Sequence, residues 1–231
     1  MLVDGKWEGP IVDQHMHLDR ENRFISAAEE FSRSGGTEIF LVHKPSFSKS
    51  LPTDLNGYRE VYRDTIKMAE SVREKTELKV NVVLGPHPVV WDIQANDIGV
   101  KASSELHISA VGLALDMIEE GEAVCLGEVG RPHYPVSEDR WTEANDLLLE
   151  IMRMASTSNS PVQLHVEENG NQTCKDIARL CNRSGLPKKR TIRHFAPSDI
   201  SDQRTSGLPV TVSMGKGLSL IHISEPTRQK P

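Results

Sequence analysis

The strongest constraint on the fold is an alternation: short β-branched apolar runs take turns with longer amphipathic ones. Ile11–His15, Glu38–Val42, Lys79–Leu84, Ala123–Leu126, Val162–His165, Thr191–His194 and Val210–Ser213 read as strands. Phe24–Ser32, Tyr58–Lys75, Ser104–Glu119, Ser137–Ser156 and Asn171–Arg183 read as helices. In the second of these helices Tyr58, Val61, Tyr62, Ile66, Ala69 and Val72 fall on one side, with most charges opposite. Gly35-Gly36, Gly121 and Gly185 each follow a helix, where C-terminal caps belong. Strand–helix repetition implies a mainly parallel sheet with helices outside. The expected fold is therefore α/β, a (β/α)8 TIM-barrel type, incomplete, with about seven of the eight strands present. An open doubly wound sheet is the rival, weakened because no G-x-G-x-x-G follows the first strand. The Ser- and Pro-rich segment Lys44–Asn56 reads as a long loop beside the active face of such a barrel.

Chemistry gathers where these strands end. The first runs into His15-Met-His17, and residues two apart on a strand point to one face, so both imidazoles aim at one point. Neutral imidazole is the commonest metal ligand, and two that converge can hold one divalent ion. Glu128 follows the fourth strand in Cys125-Leu-Gly-Glu-Val-Gly130, where small neighbours let ligands crowd close. His165 closes Pro161-Val-Gln-Leu-His165, and His194 closes Thr191-Ile-Arg-His194. Each alone reads as well as a loop glutamate or a satisfied core histidine. At the carboxyl ends of barrel strands the set shares one cavity, where catalysis on this fold takes place. Nitrogen ligands with a bridging carboxylate suit Zn, Mn or similar ions.

Other polar residues keep two readings open. His87, between Pro86 and Pro88, could touch a substrate phosphate or be a loop histidine fixed by two prolines. Arg131 could clamp an anionic substrate with its fork or serve as a structural ion-pair partner. His133 and Tyr134 could line the pocket. Lys44 reads as a phosphate-facing or a solvated lysine, and His43 as a buried or rim histidine. Asp13 could fix His15 or His17 from the second shell. His107 lies mid-helix and receives no function.

Composition narrows the classes. With 231 residues, 37% hydrophobic and 26% charged, the chain can bury a sizeable core. A net charge of −6 offers no basic footprint for sequence-independent binding of nucleic acid. No run approaches the ~18 apolar residues of a membrane span, and the N-terminus lacks an apolar signal region. No membrane association and a cytoplasmic location are expected; the oligomeric state is open. Cys125, Cys174 and Cys181 form no CxxC pair and read as reduced structural thiols.

His15-x-His17, Gly85-Pro-His-Pro88, Gly127-Glu-Val-Gly130, Gln163-Leu-His165 and the His194 strand occur in this order. Together they resemble the TatD-related metal-dependent hydrolases of the amidohydrolase superfamily, over about residues 10–217. Arg131-Pro132 stands where classical members usually carry Leu-Asp, and Arg131-Pro-His-Tyr-Pro135 is most similar to an archaeal-type branch. The resemblance implies a (β/α)-barrel hydrolase with one or two divalent ions (Zn, Mn or Mg). It implies that His15 and His17 hold one ion, that His165 and His194 hold the second, and that the catalytic Glu128 bridges them. His87, Arg131 and His133 are the candidate substrate-binding residues. The implied substrate is a small-molecule or nucleic-acid phosphodiester, cleaved as deoxyribonucleases cleave it. Amide or lactone hydrolysis is the alternative.

The resemblance also implies a final metal-binding aspartate after the eighth strand. Leu218-Ser-Leu-Ile-His-Ile-Ser-Glu-Pro-Thr-Arg228 looks instead like an in-frame translation of a transposase adapter used in sequencing libraries. On that reading residues 1–217 are a truncated hydrolase barrel, 218–231 are a non-native tail, and His222 is no ligand. The final aspartate is then absent, and the chain is expected to bind metal while hydrolysing poorly, as a catalytically impaired remnant.

Overall fold

The computed structural model describes residues 2–3, 6–47, 50–196 and 199–213. Residues 214–231, with the tail reading and His222, lie outside the described residues. A small antiparallel ladder of β1 (Leu2–Val3) and β2 (Lys6–Trp7) precedes the main sheet. That sheet holds β3 (Val12–Met16), β4 (Glu38–Val42), β5 (Lys79–Leu84), β6 (Cys125–Gly130), β7 (Val162–His165) and β8 (Thr191–Arg193). All neighbours are parallel and follow chain order, β3-β4-β5-β6-β7-β8. A doubly wound sheet would reverse its order at a switch point. Sequential order without reversal is the winding of a barrel.

The sheet also curls. β3 and β8 are the first and last strands in that order, yet the rings of His15 and His194 just at their ends stack with centroids 3.4 Å apart. Gln163 Nε2 on β7 donates to the Gln14 carbonyl on β3 at 2.9 Å across the same hollow. The result is an incomplete TIM-barrel-type fold. Among the described residues the main sheet has six strands, where about seven were expected. Val210–Ser213 contributes an isolated parallel bridge, Val210 beside Arg193.

Helices cover the convex face: α1 (Ile25–Arg33), α2 (Leu55–Lys75), α3 (Pro88–Ile98), α4 (Val100–Glu119), α5 (Glu138–Thr157), α6 (Gly170–Ser184) and the short α7 (Asp202–Thr205). α2 starts where the Asp54 carboxylate accepts from Gly57 N at 2.8 Å, and it buries Tyr58, Tyr62, Ile66, Ala69 and Val72. These join Ile39, Leu41, Val80 and Val82 of the sheet in the main apolar core. Cys174 and Cys181 pack into that core from α6. The concave face holds a small cluster, Val42, Val83 and Cys125.

Helix α3 was not anticipated from the sequence. Pro86-His-Pro88 reads as loop, but Pro88 sits in the first turn, where its missing N–H costs nothing, and the His87 imidazole caps the helix. The cap converts a proline-flanked histidine into a fixed one.

Candidate metal centre

His15 lies within β3 and His17 follows its last residue. The rings meet edge to face with centroids 4.7 Å apart. Each is oriented through Nδ1. His17 Nδ1 lies 3.0 Å from the Val42 carbonyl, which can only accept, so Nδ1 carries the proton. His15 Nδ1 lies 2.9 Å from Gln163 Oε1, and the Gln163 amide nitrogen is committed to Gln14, so this Nδ1 also donates. In the neutral rings both Nε2 atoms are then bare lone pairs. They face one another at 3.2 Å. Asp13 acts on the backbone instead of a ring: its carboxylate accepts from His15 N at 2.9 Å.

The carboxylate they face is Glu128, 2% exposed on the fully buried strand β6. Its Oε1 lies 3.5 Å from His15 Nε2 and its Oε2 lies 3.4 Å from His17 Nε2. Burial alone pushes its pKa up, but the imidazoles of His15, His165 and His17 that face it outweigh it. The carboxyl is held well below the usual range, hence ionised. Glycine makes the approach possible: a Cβ on Gly130 would sit 1.8 Å from the His165 carbonyl oxygen. Any larger residue there would drive β6 and β7 apart and take Glu128 from His165.

His165, at the end of β7, points Nδ1 at Glu128 Oε1 over 2.9 Å and Nε2 at His133 Nδ1 over 2.8 Å. His194, just past β8, sets Nδ1 3.0 Å from Thr211 Oγ1 and Nε2 3.9 Å from Glu128 Oε1. Burial, with His15 adding to it, depresses its pKa to about 3 and keeps it neutral. Among the described residues two groups have ligand atoms close enough to share an ion, each set lying within 4.8 Å: His15, Glu128 and His194; and His87, Glu128 and His165. His17 adds its own Nε2 to the carboxylate. The structure thus brings His15, His17, Glu128, His165 and His194 to one point, and its stacked rings put His194 closer to His15 than to His165, whose ring lies 6.4 Å away.

The donor set fits a divalent cation. Converging lone pairs beside an ionised, buried carboxylate repel one another unless positive charge sits among them. His87 fits less well as a ligand, although its Nε2 is 3.8 Å from Glu128 Oε2. Its Nδ1 accepts from Val89 N at 3.2 Å, so the neutral ring carries its proton on Nε2 and offers a donor. Burial, followed by the neighbouring His165, depresses its pKa to about 3.

Of the two readings of Arg131, the contacts it makes are those of the ion-pair partner. Its guanidinium is 2% exposed, its Nε and Nη2 make a bidentate pair with Glu167 at 2.7 and 2.6 Å, and Nη1 donates to Asn145 at 2.6 Å. The remaining face lies over the Trp141 ring. The protein's own groups hold the fork in place and turn it toward Glu167 and Asn145. Lys44 pairs with Asp19 at 3.3 Å, and His43 is buried against Thr65 Oγ1 with its pKa lowered to about 4 by that burial. Sequence reasoning missed Gln163, Val42 and Thr211, each of which orients a ring. Only Gln163 carried a signal, as a polar residue inside an apolar strand. A cavity of about 280 Å³ opens beside the cluster, between His43, Lys44, Tyr58, Asp64 and His87.

Three comparisons bear on this geometry. The TatD related DNase family profile matches residues 12–220, most of the chain. An uncharacterised protein of Methanocaldococcus jannaschii is 24% identical over 202 residues, spanning 86% of this chain and 70% of that one. The crystal structure of an uncharacterised amidohydrolase from Saccharomyces cerevisiae superposes with a TM-score of 0.51 at 13% identity. That match takes in 80% of this chain but only 62% of the yeast protein, and it speaks to the fold alone.

Proposed function

The chain belongs to the TatD related DNase family, and from that premise we propose that it is a divalent-metal-dependent phosphodiesterase of deoxyribonuclease type, working in the cytoplasm. The observation that carries the reading is the pair of bare Nε2 lone pairs of His15 and His17, 3.2 Å apart against the buried Glu128 carboxylate. His15 and His17 would hold one ion, His165 and His194 a second, and Glu128 would bridge them. When bound, a divalent ion makes a coordinated water acidic near neutral pH and draws charge from a phosphoryl oxygen. The chain's own residues set the rest. Gln163 and Val42 lock the tautomers that leave Nε2 free, and Glu128 supplies fixed negative charge. His87, its Nδ1 tied to Val89 N, presents Nε2–H toward the cluster and donates to a substrate oxygen. The adjoining cavity admits the flanking part of a small-molecule or nucleic-acid phosphodiester.

The test pairs metal content with turnover. Elemental analysis of protein prepared without chelator should find about two divalent ions per chain, and the His165→Ala, His194→Ala double variant should lose one and keep the other. Hydrolysis of bis-nitrophenyl phosphate, run beside a full-length relative, should require the added metal. Full metal content in the double variant would remove those histidines from the site; metal-independent hydrolysis would overturn the reading.

A further inference from the structure

The loop after β6 is clamped at both ends. Arg131 is locked by Glu167, Asn145 and Trp141. Tyr134 donates its hydroxyl to Asp92 Oδ2 on α3 at 2.7 Å, and Asp92 in turn faces Arg140 at 3.5 Å. Pro132 and Pro135 stiffen the stretch between and beyond. The held loop presents His133 at the surface, and its Nδ1 meets His165 Nε2 at 2.8 Å. Its ring rests edge-on against Tyr134, centroids 5.2 Å apart.

We infer that His133 is a positioning residue for the metal centre, acting through His165, and not a substrate contact. The inference rests on the metal-centre reading above. His165 shows Glu128 its Nδ1, so Nδ1 is the nitrogen that joins the carboxylate in holding an ion. Nε2 must then carry the ring's proton, and a proton there needs an acceptor. His133 Nδ1 is the acceptor in place. The bond fixes both the tautomer and the rotation of His165, as outer partners of metal-bound histidines do. In the metal-free protein Nδ1 of His165 donates to the ionised Glu128, so the same bond runs the other way, from His133 Nδ1–H to His165 Nε2. Loading the site therefore reverses a hydrogen bond on the protein's surface, without net proton release from this pair.

Zinc affinity measured by competition with a chromogenic chelator, with thermal melts as a folding control, tests this. His133→Ala should weaken one zinc ion by about 10–100-fold and leave the other and the metal-free melting temperature unchanged. His133→Asn, whose carbonyl oxygen sits near the place of Nδ1, should recover most of the affinity, and His133→Leu none. Imidazole 15N spectra should show His133 Nδ1 protonated without zinc and unprotonated with it. Unchanged affinity in His133→Ala, or Asn no better than Leu, would overturn the inference while the metal centre stands. A wild-type protein that takes up no zinc would instead bring down the metal-centre reading and this inference with it.

Discussion

The two halves of the candidate centre are built from different material. His15 and His17 are oriented by Gln163, 2% exposed on β7, and by the backbone carbonyl of Val42 at the end of β4. His165 and His194 are oriented by His133 and Thr211, which come from loops and are exposed or half-buried. The first half is a by-product of strand register: once the sheet forms, its rings have one place to go. The second half depends on loop residues, and loops vary with little cost to the core. Fidelity is thus written into the sheet on one side, and adjustability into the loops on the other.

The largest expected effect should erase the difference. Glu128→Gln removes the charge both halves share, so elemental analysis should find both ions lost and metal-dependent hydrolysis down by at least ~10²-fold. Retention of one ion would mean that the halves do not share the carboxylate. An intermediate effect should sharpen the contrast. Gln163→Leu should weaken one ion by about 10–100-fold. It should also cost roughly 1–3 kcal/mol in urea denaturation, because it strands the Gln14 carbonyl in the hollow. Thr211→Val should weaken the other ion by less than about 10-fold and leave stability nearly untouched. Equal losses in both measurements would dissolve the distinction between sheet-set and loop-set halves.

A further effect is on acid stability and separates both halves from the core. His87 and His194 are depressed to about 3, and so is His107 on α4, fully buried with neither ring nitrogen partnered among the described residues. Each refuses a proton that the unfolded chain accepts near its ordinary value of 6.5. Stability is therefore whole above about pH 6.5 and falls as pH drops toward 3. The depressed Glu128 acts in the same direction below its ordinary 4.5. In metal-free protein His107→Leu should reduce this loss by about 1.4 kcal/mol for each pH unit below 6.5, read from urea midpoints at pH 7 and 5. The same loss in variant and parent would show that the α4 histidine is protonated or exposed in the native state.

What the sequence made legible follows from where its information is local. His15, His165 and His194 could be read because a polar residue closing an apolar run stands out within five residues; Glu128, read as following the fourth strand, lies inside β6, which runs on to Gly130. The barrel winding could be read from alternation. The orienting bonds could not: Gln163 meets His15 from 148 positions away. The fate of Arg131 was open because its partner Glu167 lies across a strand boundary, 36 positions on. Helix α3 hid behind two prolines that serve as its first turn and its approach. Val210–Ser213 has the composition of a strand but, among the described residues, pairs only through the bridge from Val210 to Arg193.

Parallel winding in chain order has a kinetic consequence. No two consecutive strands contain the cluster, so no early-folding hairpin or helix pair can assemble it; contacts of such long sequence separation form late. Only chains in which β3 has met β7 and β8 present the full set of donors, as the 148-position bond and the stacked rings of His15 and His194 require. An ion that binds such chains and no others pulls the population toward them by mass action. During biosynthesis the cation would act less as a cargo than as a proofreader of the finished fold, and its uptake rate would report when the last strand arrives.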